Sequence, residues 1–188
     1  MQLAIFQQDF NSELAYNADA GQDSASAPSR RQGIEVSGQY HPLPWFELNS
    51  DLAWSKARYQ GDLRSFGLDG PYIANAPRFI GSLGILVDKL GRWFGGLQWR
   101  KLAAYPISDG DAQPADRGYS EFNADVGYKV NAHLKLQLSV FNLLNSHANS
   151  SAYYYTARIP GEAPDGVTGR QVHPLEPIAG TLRATAYF

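Results

Sequence analysis

Three consecutive tyrosines, Tyr153, Tyr154 and Tyr155, stand close in sequence to two arginines, Arg158 and Arg170. Phenol rings offer flat stacking faces, and guanidinium groups offer paired donors for charge-assisted hydrogen bonds. Together they suit an aromatic, anionic ligand. The plainer alternative is that the tyrosines end a strand or pack in a loop, with the arginines solvated or paired to Glu162 and Asp165. A second set is Asp109, Asp111 and Asp116, oxygen donors in a glycine-containing loop that suit calcium. They lack the spacing of a dedicated cation loop, so a solvated acidic loop is expected and no metal site is assigned.

Catalytic chemistry finds little purchase. The histidines are His41, His133, His147 and His173, and Ser146, Ser150 and Ser151 lie near His147. There is no Gly-x-Ser-x-Gly elbow, glycine-rich phosphate loop or metal-spaced Cys/His cluster. Neither an enzyme nor a cofactor is expected. A net charge of -2 provides no basic footprint for nucleic acid.

The elements that must carry these residues are strands. Phe122, Ala124, Val126, Tyr128 and Val130 alternate with Glu121, Asn123, Asp125, Gly127 and Lys129. A tight turn at 131–133 leads to Leu134, Leu136, Leu138 and Val140, interleaved with Lys135, Gln137 and Ser139. This is a hairpin with one apolar and one polar face. A second spans 34–40 and 46–55 across a turn at 42–44, and a third spans 78–87 and 93–101 across 88–91. In the third, Ile80, Leu86 and Phe94 fall on the polar side. A first strand at 3–16 shifts phase, which predicts a bulge. The last strand, 181–188, puts Leu182, Ala184, Ala186 and Phe188 on one face and ends on an aromatic ring.

No run of 18 apolar residues is present, which excludes transmembrane helices. A low mean hydropathy of -0.35 is compatible with a transmembrane barrel, where only alternate strand residues meet lipid. The expected fold is all-β: an antiparallel transmembrane β-barrel segment of about eight strands, each near the ~9–11 residues a tilted barrel strand needs. Short turns alternate with long connections at 17–29, 60–76, 103–119 and 146–180. That asymmetry puts short turns in the periplasm and long loops outside the bacterial outer membrane. Trp45 and Trp93 then fall at the inner rim, and Trp54, Trp99 and Tyr105 near the outer rim. Glu47, Asp51, Glu121, Asp125, Lys129, Lys135 and Arg183 share the lumen side and predict a cross-strand charge ladder. Alternation also describes a soluble sandwich or lipocalin-like barrel, whose apolar face points inward.

The segments Ser29-Arg-Arg-Gln-Gly-Ile-Glu-Val-Ser-Gly38 and Pro44-Trp-Phe-Glu-Leu48 resemble a late barrel hairpin of TonB-dependent outer-membrane receptors. Phe141-Asn-Leu-Leu-Asn145 is similar to that family's Asn-Leu-Phe-Asp-type segment. His173-Pro-Leu-Glu-Pro177 and a final strand ending in Phe follow in the family's order, although Ile178 stands where an arginine is expected. The resemblance covers nearly all 188 residues and implies the C-terminal third of a plugged barrel of about 22 strands. It implies uptake of a scarce nutrient such as a ferric siderophore, so the tyrosine–arginine set would face a ferric catecholate. Neither a plug, a TonB-contacting box nor a signal peptide is seen in residues 1–188. The expected partners are outer-membrane lipid, the remaining strands and plug of a full receptor, and the TonB complex acting through that plug. The rival expectation is a self-contained eight-stranded outer-membrane barrel with a structural or adhesion role.

Overall fold

The computed structural model describes residues 1–17, 22–110 and 115–188. Eight long strands form one antiparallel sheet: β1 (Gln2–Phe10), β4 (Ser29–Leu43), β5 (Phe46–Tyr59), β6 (Phe79–Leu90), β7 (Trp93–Leu102), β10 (Tyr119–Lys129), β11 (Leu134–Phe141) and β14 (Ala179–Ala186). Each pairs with its neighbours along the chain in that order. Three two-stranded hairpins occupy the long connections: β2 (Leu14–Asn17) with β3 (Gln22–Ala25), β8 (Tyr105–Pro106) with β9 (Ala115–Asp116), and β12 (Asn149–Ala157) with β13 (Val167–Pro174). The remaining connection carries a 3-10 turn at Leu63–Phe66. Short turns and long connections alternate around the sheet, as the loop lengths predict.

Register extends the apolar alternation across every strand pair. Ile5 lies opposite Ile34, Ile34 opposite Trp54, and Trp54 opposite Phe79. Leu83 faces Trp99, Trp99 faces Phe122, Val126 faces Leu138, and Leu138 faces Leu182. Since side chains alternate strictly, these residues share one face of the whole sheet. That face is open: Ile5 is 77% exposed and Leu182 76%. Among the described residues the only buried hydrophobic side chains are Ala27, Tyr105, Ile107 and Ala152, and none lies in the eight-stranded sheet. A soluble sandwich would bury its apolar face. This sheet presents it outward, as a transmembrane barrel wall does.

The polar face carries a different device. Gly33 lies opposite Phe6, and Gly127 opposite Phe94, with each ring occupying the space a Cβ would need. The phenyl groups cover backbone that glycine leaves bare, which explains two apolar residues on the lumen side. It also corrects the expected bulge in the first strand. The β1–β4 register is unbroken from Gln2 to Phe10, and the phase change comes from Phe6 turning onto Gly33. β1 then stops at Phe10, and Leu14 begins β2 as part of another hairpin.

Three further expectations need correction. β4 and β5 run 15 and 14 residues, well past the span of a membrane, so their outer ends stand beyond it. Tyr105 is not an interfacial ring but the core of a loop cluster at 4% exposure. The seven lumen-side charges form no ladder. Register sets Lys129 opposite Lys135, a like pair, so each finds another partner. Lys129 reaches Asp88 at 3.2 Å, Lys135 reaches the Tyr187 hydroxyl at 3.2 Å, and Asp125 accepts from Gln137. Glu47 meets His41 at 2.9 Å.

The sheet is also open at its ends. Among the described residues β1 pairs only with β4 and β14 only with β11, so the eight strands do not close on themselves. The self-contained eight-stranded barrel is therefore not the observed arrangement.

Candidate functional site

All four long connections leave the same end of the sheet, and hydrogen bonds tie them into one body. Gln60 N–H donates to Pro28 carbonyl and Asn75 N–H to Pro106 carbonyl. Asp69 N–H donates to the Asp109 carboxylate at 2.7 Å. The β12–β13 hairpin docks on the β8–β9 connection through an apolar patch of Tyr105, Ile107 and Ala152, with Leu102 and Tyr154 packed beside it. Ala152 N–H donates to the Tyr105 hydroxyl at 3.0 Å. Burial pushes the Tyr105 phenol above its ordinary range, and the nearby Asp116 carboxylate adds to this while the Ala152 N–H acts the other way.

Asp116 clamps the same interface. It is 1% exposed, accepts from Gly118 N–H at 2.7 Å and from Asn149 Nδ2 at 3.0 Å, and pairs with the Arg170 guanidinium. A buried carboxylate is tolerated only when paired and hydrogen-bonded, and this one is both. The three aspartates named for calcium therefore have separate roles where they are described. Asp109 serves Asp69 and Ser108, Asp116 serves the clamp, and Asp111 lies outside the described residues. Asp116 is buried rather than part of a solvated acidic loop. No grouping of metal-ligating side chains occurs among the described residues.

The tyrosine run splits by strand alternation. Tyr154 faces Arg170 across the hairpin and packs on the buried patch, whereas Tyr153 and Tyr155 point the other way and are 49% and 41% exposed. Arg158 follows the strand and is exposed. Tyr153, Tyr155 and Arg158 are thus brought to open surface, and Tyr154 and Arg170 to the docking face. Gly169 lies opposite Tyr155, with no atom within 4 Å of where its Cβ would stand. Arg170 pairs with Asp116, not with Glu162 or Asp165. Glu162 instead accepts from Ile159 N–H.

A second knot forms at Phe141-Asn-Leu-Leu-Asn145. Asn142 and Asn145 take left-handed φ values of 47° and 48°, which asparagine tolerates better than most residues. Asn142 is 1% exposed; its amide donates to the Ser146 and Glu176 carbonyls, and its side-chain oxygen accepts from Ser146 N–H at 2.8 Å. Asn145 accepts from Ile178 N–H at 3.2 Å. These two residues pin both ends of the last long connection to β11. Ser150 Oγ lies 2.9 Å from His173 Nδ1, but the same hydroxyl bonds the His173 carbonyl. No carboxylate orients the ring among the described residues, so the pair fastens the hairpin and does not form a triad.

The sequence reading missed the Asp116 clamp and the Asn142 knot. Asp-Arg-Gly118 signals a local turn, but nothing near Asp116 points to Arg170, 54 residues later. Asn-Leu-Leu-Asn145 gave the available signal for the knot, two asparagines spaced to cap a turn.

A family model described as TonB dependent receptor-like, beta-barrel matches residues 1–143. The chain belongs to that family. TonB-dependent receptor barrels reside in the outer membrane, and the apolar outward face fits that setting. No curated protein matches the chain in sequence. Among solved structures, the closed form of the ferric-catecholate import receptor Fiu from E. coli K12 aligns with a TM-score of 0.72 and 24% identity, covering 99% of this chain and 25% of that one. The siderophore receptor PiuA from Acinetobacter baumannii gives 0.72 and 14%, covering 97% and 25%. The ferric yersiniabactin uptake receptor FyuA from Yersinia pestis gives 0.65 and 15%, covering 89% and 25%. At these identities the likeness concerns fold, and the chain spans about a quarter of each receptor's length.

Proposed function

We infer that this chain serves as the C-terminal part of the barrel of an outer-membrane receptor that takes up a scarce nutrient such as a ferric siderophore. The observation that carries this reading is the continuous outward apolar face on a sheet whose two edge strands are each paired on one side only among the described residues. Unpaired backbone edges in lipid cost several kcal/mol per group, so β1 and β14 call for neighbouring strands supplied by the rest of a receptor. Energy for uptake would come from the TonB complex acting on a plug carried outside these residues.

The ligand surface in this reading is the exposed side of the β12–β13 hairpin. Tyr153 and Tyr155 supply stacking faces, Arg158 supplies charge, and Tyr154 and Arg170 hold the hairpin in place. The site takes no metal of its own, since an iron would arrive as cargo inside its chelator. The test is quenching of tryptophan fluorescence by a ferric tris-catechol complex, using the full receptor carrying this sequence. Removing both Tyr153 and Tyr155 as alanines is expected to weaken binding by about tenfold or more, in line with stacking of ~1 kcal/mol per ring. Unchanged affinity in that double variant contradicts the hairpin as the ligand surface.

A further inference from the structure

The outward face changes character along β4 and β5. Near the short turn these strands carry Tyr40 and Phe46 on that face, and in mid-strand Val36 and Leu52. Trp54 and Phe79 follow as a ring pair 4.8 Å apart. Beyond the rings the same face turns cationic. Gln32 lies opposite Lys56, and Arg30 lies directly opposite Arg58. Directly opposed residues bring their Cβ atoms within ~5.5 Å, so two cationic side chains leave adjacent strands at the same level. Asp9 answers only Arg30, at 2.6 Å. Arg58 lies over the Tyr72 ring at 4.1 Å, and Lys56 has no hydrogen-bond or ion-pair partner among the described residues. The excess positive charge sits at the outer edge of the apolar face. Of the three cations, Lys56 borders a groove of about 590 Å³ whose lining also includes Ile5, Ile34 and Trp54.

We propose that Arg30, Lys56 and Arg58 form a docking surface for the phosphate of an anionic lipid in the outer leaflet, with its acyl chain along Ile34 and Trp54. The proposal rests on the reading of the apolar face as the lipid-facing one. Apolar surface, then aromatic rings, then excess positive charge is the order a membrane presents from acyl chain to interface to phosphate. A free phosphate ion would satisfy the cations but has no use for the groove beneath them. A lipid uses both. The opposite ends of the same two strands, with Tyr40 and Phe46, carry aromatic anchors and would be indifferent to headgroup charge.

The experiment uses the full chain in its receptor, placed in nanodiscs of phosphatidylcholine alone or mixed with phosphatidylglycerol, and counts retained lipids by native mass spectrometry. The unmodified protein should retain phosphatidylglycerol preferentially. Lys56→Gln with Arg58→Gln should lower that preference on the order of thirtyfold, the effect of two basic groups near an anionic surface. Lys56→Arg with Arg58→Lys, which keeps the charge and guards against a folding artefact, should preserve it. An unchanged preference in the glutamine variant overturns the proposal. So does an equal loss in Lys135→Gln on the polar face, or displacement of the lipid by millimolar inorganic phosphate. Brominated acyl chains separate the two levels. Tryptophan quenching without headgroup preference sinks only the cation surface, and absence of quenching sinks the lipid-facing reading beneath it.

Discussion

The eight-stranded sheet and the loop body above it solve the burial problem in opposite ways. The sheet keeps Leu3, Ile5, Leu138 and Leu182 on its open face and contains none of the buried hydrophobic side chains found among the described residues. The loops gather Tyr105, Ile107 and Ala152 into a small core and seal Asp116 and Asn142 inside hydrogen-bond networks. One region therefore leaves its apolar surface to whatever surrounds it, while the other encloses a small core of its own. Substitutions should consequently act by different rules in the two regions.

The sheet should respond to which face is changed. Leu138→Arg places a cation on the outward side near the middle of β11, where lipid-facing arginine costs up to about 4 kcal/mol. Its neighbour Gln137→Arg projects to the polar face and should cost little. Urea unfolding midpoints in lipid vesicles check this, and equal effects at 137 and 138 would erase the distinction between faces.

The loop body should respond to pairing instead. Arg170→Gln leaves the buried Asp116 carboxylate without its cation and should loosen the β12–β13 hairpin by about 3 kcal/mol, the low end for a broken buried pair because Arg170 is partly open to water. Asp116→Asn should cost less, since the freed guanidinium can turn outward. Hydrogen exchange of residues 149–174 reads both. The reverse order would mean that Asp116 is anchored mainly by Gly118 and Asn149.

The smallest effect is on pH. The Tyr105 phenol has a folded-state pKa raised above its ordinary value of 10.0. Its contribution to docking is fully present below that ordinary value and is lost as pH rises through the folded one. Ultraviolet titration of tyrosinate, followed beside exchange of Ala152 N–H, should show loosening only in alkaline solution. Loosening already at neutral pH would point to another group.

These contrasts also explain what could be read in advance. Strand alternation, hairpin pairing and loop asymmetry are local periodicities, so β4–β5, β6–β7 and β10–β11 were legible from residue order. Phe6 and Phe94 looked like errors of phase because their reason, a glycine on the adjacent strand, is a register fact. The charge ladder failed for the same cause, since same-face membership does not reveal that Lys129 opposes Lys135. At the candidate site, the tyrosine run was legible in the sequence, but its division into exposed Tyr153 and Tyr155 and packed Tyr154 follows from the strand. The assignment of Arg170 to Asp116 was not legible, because it joins two long connections whose docking no periodicity encodes.

The central claim is that the sheet's apolar face meets lipid and its polar face meets water. The chain contains no cysteine, so single cysteines can be introduced in turn from 136 to 140 without background. The measurement is their reaction, in intact outer membranes, with a thiol reagent that does not enter lipid. Cysteines at 137 and 139 should label and those at 136, 138 and 140 should stay protected. Uniform labelling along β11, or protection of 137 and 139 instead, would contradict the account.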